Sequence, residues 1–561
     1  MDLLTYRTPP ELVTGSAGHY PVIVVGAGPV GLCTAIDLAL HGVPCVLLDE
    51  AAALSEGSRA ICFSKRTLEI LDRLGCGAPA RAKGVVWNTG KVFHRDELLY
   101  EFNLLAEPGH KHPAFINLQQ YHLEHVLVER VQQLDNIDAR WSSRVVAVKS
   151  RKDRVSVTVQ TPEGRYIAHC DYLVVADGAR SPVRTMLGLE ARGQVFRDRF
   201  LIADVKVLAD FPTERRFWFD PPFHPRQSAL LHRQADDVWR IDFQLGWDAN
   251  PDEERKPERV IPRIQAMLGA DLPFTLEWVS VYTFQCRRME KFTHGRVVFT
   301  GDAAHQVSPF GARGANGGIQ DSDNLVWKLA RVVRGKAAAN LLDTYDVERL
   351  PAADENILAS TRSTDFITPK SNASRLFRDA TLHLARRYPF ARALVNSGRL
   401  SMPHTYTKTP LTTSDSDRFS AGLSPGAPAA DAPMQNAAGT VWLIDSLGGR
   451  FVGLYFAGGA PVDASICTRL HALRNLAEPV HPVLICSPGR LHSWTAEGIE
   501  ALEDRDGLAA GRYDAAPNTF YLIRPDQHVA ARWRQFDLRS SRDAVRRATG
   551  GLSPEYTAWQ S

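Results

Sequence analysis

Gly26-Ala27-Gly28-Pro29-Val30-Gly31 has the spacing G-x-G-x-x-G and closes the apolar run that starts at Pro21. In such a motif the first glycine permits a tight turn and the second lets backbone approach a pyrophosphate. The third lets a helix pack closely on the strand, with the phosphates at the helix N-terminus. Asp49 stands eighteen residues beyond Gly31, at the end of the next apolar run, where a carboxylate reaches a ribose hydroxyl. A glycine triplet alone fits a bare strand–helix turn equally well. Strand, triplet, helix, strand and acid in that order predict a dinucleotide site, without choosing between FAD and NAD.

Two later clusters make the choice. Asp177-Gly178-Ala179-Arg180-Ser181-Pro182-Val183-Arg184 follows the strand-like run Tyr172–Ala176. Gly301-Asp302-Ala303-Ala304-His305 follows Arg296–Thr300 and continues into Ser308-Pro309-Phe310-Gly311-Ala312-Arg313-Gly314-Ala315-Asn316-Gly317-Gly318. With these motifs in order, the chain resembles the class A FAD-dependent aromatic hydroxylases, the para-hydroxybenzoate hydroxylase and phenol hydroxylase superfamily. Within it, the resemblance is nearest to the 3-(3-hydroxyphenyl)propionate hydroxylase-like branch, and it covers about residues 20–365.

The resemblance implies noncovalent FAD, with Gly26, Gly28, Gly31 and Asp49 on its ADP half. Arg59, in Ser58-Arg59-Ala60, matches the family arginine near the pyrophosphate, and Gln120 the glutamine on the flavin side. Asp177 matches a motif serving both FAD and the nicotinamide donor, and Asp302 the aspartate on the ribityl chain. Gly314, Ala315 and Asn316 match the loop under the flavin ring, and Pro309 lines the face where oxygen adds. A helix opening near Gly317 would set unpaired N–H groups against the anionic end of reduced flavin. The implied activity is an NAD(P)H-dependent FAD monooxygenase, with NADH or NADPH and O2 as co-substrates. It would hydroxylate a small phenolic substrate through a flavin C4a-hydroperoxide. The rivals are Baeyer–Villiger or epoxidising enzymes of the same fold, and a flavin-binding protein without catalysis.

Some residues stand apart from the motifs. Many relatives have Gln where this chain has Arg313, which could bring charge to the flavin or an acidic substrate, or simply sit on a surface loop. Tyr282, His232 and His224 could relay a phenolic proton or be ordinary sheet residues. Pro309, Arg313 and Tyr282 are therefore the catalytic candidates. His305 reads as structural. Arg215-Arg216 could bind a carboxylate or lie on a solvated strand edge.

The elements needed to position these loops are an α/β fold in three parts. A Rossmann-like FAD-binding domain takes residues 20–190 and returns, with a helical region, at 286–398, where Gly398 reads as the last helix stop. Between them, 191–285 alternates apolar and polar residues and is rich in aromatic and β-branched types, which predicts an antiparallel substrate-binding sheet. Pro, Ala, Ser, Thr and Asp crowd 403–438, a linker, and 439–561 resembles the thioredoxin-like C-terminal domain of larger relatives.

Composition narrows the function classes. Of 561 residues 44% are hydrophobic and 23% charged, ordinary globular usage that excludes a fibrous or disordered chain. A net charge of +3 offers no footprint for nucleic acid or an anionic membrane. The eight cysteines include no C-x-x-C, so neither zinc nor thiol redox chemistry is expected, and metal ligands are not assigned. The uncharged stretch Pro21–Ile36 is too short to span a bilayer. The chain is read as cytoplasmic without a signal peptide, and a homodimer is one assembly the sequence allows.

Overall fold

The computed structural model describes residues 4–551 except 56, 58, 208–210, 396–399, 462 and 496–497. Ser58 of the arginine motif, Gly398 and the final ten residues therefore lie outside the described residues.

The first sheet is built on buried parallel strands. Its order is Thr293–His294, Val297–Phe299, Gly164–Val175, Gly18–Val25, Cys45–Leu48, Ile137–Arg140. All but the first run parallel, and a meander of Val155–Thr161 and Arg144–Ser150 extends the long strand Gly164–Val175. The central runs Val22–Val25 and Cys45–Leu48 are buried throughout, as apolar parallel strands are. Helix Pro29–Leu40 packs against Gln120–Gln132 and Gly314–Val333. The Rossmann-like expectation holds.

The second sheet is mostly antiparallel: His305–Gln306, Thr275–Met289, Ala191–Lys206, Val238–Leu245, Ser228–Arg233, Arg215–Phe219, Thr89–His94, Glu97–Asn103. Its side chains alternate. Leu201, Ala203, Val205, Trp239, Ile241 and Phe243 form one face under Val260 and Ile264 of helix Pro257–Leu268. The opposite face turns toward the first domain. The sheet also reaches beyond 191–285, because the hairpin Thr89–Asn103 joins it through a parallel pairing with Arg215–Phe219. That hairpin escaped the sequence reading because its turn at Arg95-Asp96 has no Gly or Pro; Arg95 itself adopts φ 56°.

Helices Asp343–Ile367, Asn372–Ala385 and Pro389–Val395 follow. Residues 403–432 have neither helix nor strand, as a linker should, yet they are stitched down. Thr413 N–H donates to Ala530 O (2.8 Å), Gly426 N–H to Val529 O (2.8 Å), and Arg532 Nη2 pairs with Asp415 (2.7 Å). The last sheet holds parallel strands Phe451–Gly458, Val480–Cys486 and Glu500–Glu503 beside the antiparallel hairpin Thr519–Ile523/Val529–Trp533. This arrangement is consistent with the thioredoxin-like expectation, and Cys467 and Cys486 are both buried in it.

Candidate flavin and substrate site

The motifs converge because the parallel strands end in one row. Phe299 pairs with Val175, Val175 with Val25, and Val25 with Leu48. From that row the chain leaves into Gly301-Asp302, Asp177-Gly178, Gly26–Gly31 and Asp49. The crevice at the carboxyl ends of parallel strands is where α/β sheets bind ligands.

The glycines have distinct jobs. Gly26 has φ +100°, and a Cβ there would lie 2.4 Å from Ala176 O. A Cβ on Gly31 would lie 1.8 Å from Gly26 O, so the helix must pass there bare. At Gly28 a Cβ meets nothing within 4 Å, so the protein's own packing does not demand glycine there. That leaves room for a ligand to approach the backbone there. Helix Pro29–Leu40 begins at Gly28 with no side-chain cap and no acid in its first turn. Some other helices carry a cap, as Ser64, Asp463 and Asp537 show, while Gln120–Gln132 does not. An uncapped N-terminus leaves its N–H groups for an anion.

Asp49 braces the turn as well as facing the crevice: Oδ2 accepts Ala27 N–H (2.5 Å) and Oδ1 accepts Ala51 N–H (2.8 Å). Each oxygen keeps a lone pair for a ribose hydroxyl. Gln120 pins the segment carrying Arg59, since its Oε1 accepts Ala60 N–H (3.1 Å) while Nε2 donates to Glu124 (2.7 Å). Arg59 is exposed, and its charge reaches both Asp302 and Tyr282. Asp177 accepts Val183 N–H on Oδ2 (3.0 Å), but its buried Oδ1 has no partner among the described residues. Burial raises its pKa.

Asp302 presents its side chain to solvent yet lies deep between loops, so desolvation raises its pKa while His305 and Arg59 oppose the rise. The following helix starts at Gly314, not near Gly317, and again has neither a side-chain cap nor a first-turn acid. Gly314, Ala315 and Asn316 are thus its first turn rather than a loop. The Asn316 side chain is fully engaged within the protein. Its Oδ1 accepts from Ser64 N–H (2.8 Å) and Thr67 Oγ1 (2.6 Å), and Nδ2 donates to Cys62 O (2.9 Å) and Ala312 O (2.6 Å). Only its backbone can face a cofactor.

Among the catalytic candidates, Pro309 is exposed at the crevice mouth, and its carbonyl accepts Ala312 N–H (3.1 Å). Arg313 is buried, not a surface arginine: Nη1 donates to Phe310 O (2.9 Å), and burial lowers its pKa to about 10. Tyr282 is 39% exposed, and burial of its ring together with Asp302 raises its pKa. His305 donates to Asp321 (2.6 Å) inside the core, as a structural histidine would. His224 donates to Gln244 O (2.6 Å) and packs on Phe243, on the far face of the sheet.

The face turned toward the first domain carries three rows set by register. Phe200 pairs with Gln244 and Tyr282; Ile202 with Asp242 and Ser280; Asp204 with Arg240 and Trp278. Asp242 in turn faces Leu230, and Arg240 faces His232. Arg240 is spent on Asp204 through two bonds of 2.7 Å. Arg215 has no hydrogen bond or ion pair among the described residues, and desolvation lowers its pKa against the opposing carboxylate of Asp242. His232 is buried with Nδ1 unpartnered among the described residues, and desolvation together with Arg215 and Arg240 holds its pKa well below 6.5, so it is neutral at pH 7. Asp242 has a buried Oδ1 unpartnered among the described residues and is pushed up to about 6, by burial first and Asp204 second. Phe310, on the Pro309 loop, packs edge-on against Phe200 and Phe284 and ties this face to the crevice.

Sequence reasoning missed Asp242, Asp204 and Arg240. The signal was present in Trp239-Arg240-Ile241-Asp242-Phe243-Gln244, but such alternation ordinarily means apolar inside and polar outside. Here the polar side faces another domain.

Open space at Gly28, two uncapped helix N-termini and the unpartnered Asp177 Oδ1 together fit a bound flavin dinucleotide. Comparison with known proteins agrees. Residues 19–360 match the family described as the FAD binding domain. A flavin-dependent monooxygenase of Mycobacteroides abscessus is 32% identical over 80% of this chain and 90% of its own length. A 3-(3-hydroxy-phenyl)propionate/3-hydroxycinnamic acid hydroxylase of Mycolicibacterium smegmatis is 27% identical over 92% and 91%. The crystal structure of the flavin-dependent monooxygenase PieE with FAD and substrate shares the fold, with TM-score 0.78 and 23% identity over 95% of this chain and 99% of that one. On its motifs, its crevice and these relatives, the chain belongs to the FAD-binding-domain family and is an FAD-dependent monooxygenase.

Proposed function

We propose that this enzyme hydroxylates a phenolic ring, with O2 as oxidant and NADH or NADPH as electron donor. The observation that carries the reading is the face of the antiparallel sheet turned toward the crevice. Aromatic and aliphatic side chains (Phe200, Ile202, Phe217, Leu230) surround an unpaired cation, a neutral histidine and a high-pKa carboxyl there. A flat apolar ring bearing an ionisable hydroxyl complements that set, because buried polar groups need partners.

When bound, FAD supplies the activation of oxygen and the transfer of one oxygen atom. Gly26, Gly28, Gly31 and Asp49 would hold its ADP half, and Asp302 and the turn at Gly314 its flavin half. Arg215 would hold the substrate's anionic oxygen. His232 or Asp242 would take the phenolic proton, and a weak base suffices because phenolate is already the activated nucleophile. Tyr282 and Pro309 line the route between the two halves, and Arg313 positions the loop.

A panel of phenols tests the proposal. NAD(P)H oxidation should be slow alone and much faster with the right phenol, and reaction in ¹⁸O2 should give a diol carrying one label. A labelled ester or epoxide would replace hydroxylation by another oxygenation. An unlabelled dehydrogenated product would overturn the reading.

A further inference from the structure

The C-terminal domain has no C-x-x-C motif, yet its contact with the flavin-side helix is a dense buried ion cluster. The contact is the turn Arg524–His528, between the strands Thr519–Ile523 and Val529–Trp533. Arg524, fully buried, donates to both oxygens of Glu348 (2.6 and 2.9 Å) and to Asp526 (2.5 Å). Glu348 also receives Lys328 (2.6 Å) and Asn324 (2.7 Å), both on the helix Gly314–Val333. Arg66 joins Asp323 of that helix (2.9 Å) to Asp526 O (2.8 Å). Such buried ion clusters add little net stability, because desolvation offsets their attraction. What they fix is relative placement.

One branch of this cluster runs directly to the cofactor crevice. Tyr406 stacks on His528, with centroids 4.4 Å apart and planes 25° apart. Its hydroxyl accepts Arg349 Nη1 (3.2 Å). Arg349 donates through Nη2 to Gly317 O (3.1 Å), in the first turns of the flavin-side helix, and through Nε to Asp321 (2.6 Å). Asp321 accepts Gly301 N–H (3.1 Å), the residue before Asp302, and His305 (2.6 Å). Each guanidinium bond is directional, so displacing one partner shifts the next.

We infer that the Arg524–His528 turn, acting through Tyr406, Arg349 and Asp321, is a positioning device that sets the Gly301–Asp302 turn and the start of helix Gly314–Val333 for FAD. The C-terminal domain is then part of the cofactor site without touching it. Tyr406, Arg349 and Asp321 are positioning residues.

The test is Tyr406→Phe in the full-length protein, which keeps the ring on His528 and removes only the acceptor for Arg349. The control is Tyr455→Phe, which deletes the bond from Tyr455 to Asn518 (2.6 Å) in the same domain, away from the turn. FAD titration should show the dissociation constant rising about three- to tenfold for Tyr406→Phe, as for the net loss of one ordinary hydrogen bond, and unchanged for Tyr455→Phe. Hydrogen exchange of the holoenzyme should quicken at 301–317 in Tyr406→Phe alone. Arg349→Lys, which keeps the charge but not the fork, should weaken FAD further than Tyr406→Phe. Wild-type FAD affinity and exchange in Tyr406→Phe would overturn the inference. So would equal loss of affinity in both tyrosine variants in step with their melting temperatures, because the effect would then be general destabilisation.

Discussion

The two proposed walls of the site are built on opposite principles. The cofactor wall is made of backbone: turns one residue past a single row of strand ends, with side chains such as Asp49 and Gln120 bracing the main chain. The substrate wall is made of side chains brought level across strands far apart in sequence, so that Arg215, His232 and Asp242 meet only through register. Backbone sites need specific residues at fixed local spacing, whereas side-chain sites need a correct sheet and tolerate varied residues. The first kind leaves motifs in a sequence and the second does not.

Substitutions can separate the walls. The largest effect is expected at Gly31→Ala, whose Cβ collides with Gly26 O; overpacking of about 1–3 kcal/mol should lower the melting temperature of the apoprotein and abolish tight FAD binding. Gly28→Ala has open space, so its apoprotein should melt like wild type while FAD binds more weakly. If Gly28→Ala bound FAD normally, the backbone wall would not be where the pyrophosphate lies. Asp302→Ala should come next, losing about 1.5–3 kcal/mol of FAD binding through missing charge-assisted hydrogen bonds, measured by titration.

Arg215→Met should leave FAD affinity intact and raise KM for the phenol about tenfold or more, as expected for a lost bond to a charged group. Weaker FAD binding in that variant would show that the two walls are not independent. The smallest effect concerns pH. Asp242 is raised to about 6 in the fold against an ordinary value near 4, so its contribution is fully present below about pH 4 and lost as pH rises through about 6. Denaturant unfolding should therefore show Asp242→Asn gaining on wild type between pH 4 and pH 8. A constant difference across that range would deny the carboxyl its unpaired burial.

Particular residues show what could be read in advance. The glycine motif, Asp177-Gly178 and Gly301-Asp302 each follow a buried strand, and such local order is visible in one dimension. The start of the flavin-side helix was misplaced by three residues, because glycines at 314, 317 and 318 carry no propensity signal for a helix. Arg313 could be read either way until its burial was seen. The residues 403–438 read as a tether from composition, which is blind to Arg532 gripping Asp415.

By itself the sequence determined the parallel αβ core, the dinucleotide crevice and the lack of a C-x-x-C, because each depends on residues near one another along the chain. The tertiary structure decided which polar face of the antiparallel sheet is internal, that the hairpin Thr89–Asn103 completes that sheet, and that the Arg524–His528 turn reaches the flavin-side helix. Those are contacts between segments more than a hundred residues apart. Their charges look like solvated surface until folding removes the water, and only then does each need the partner it has.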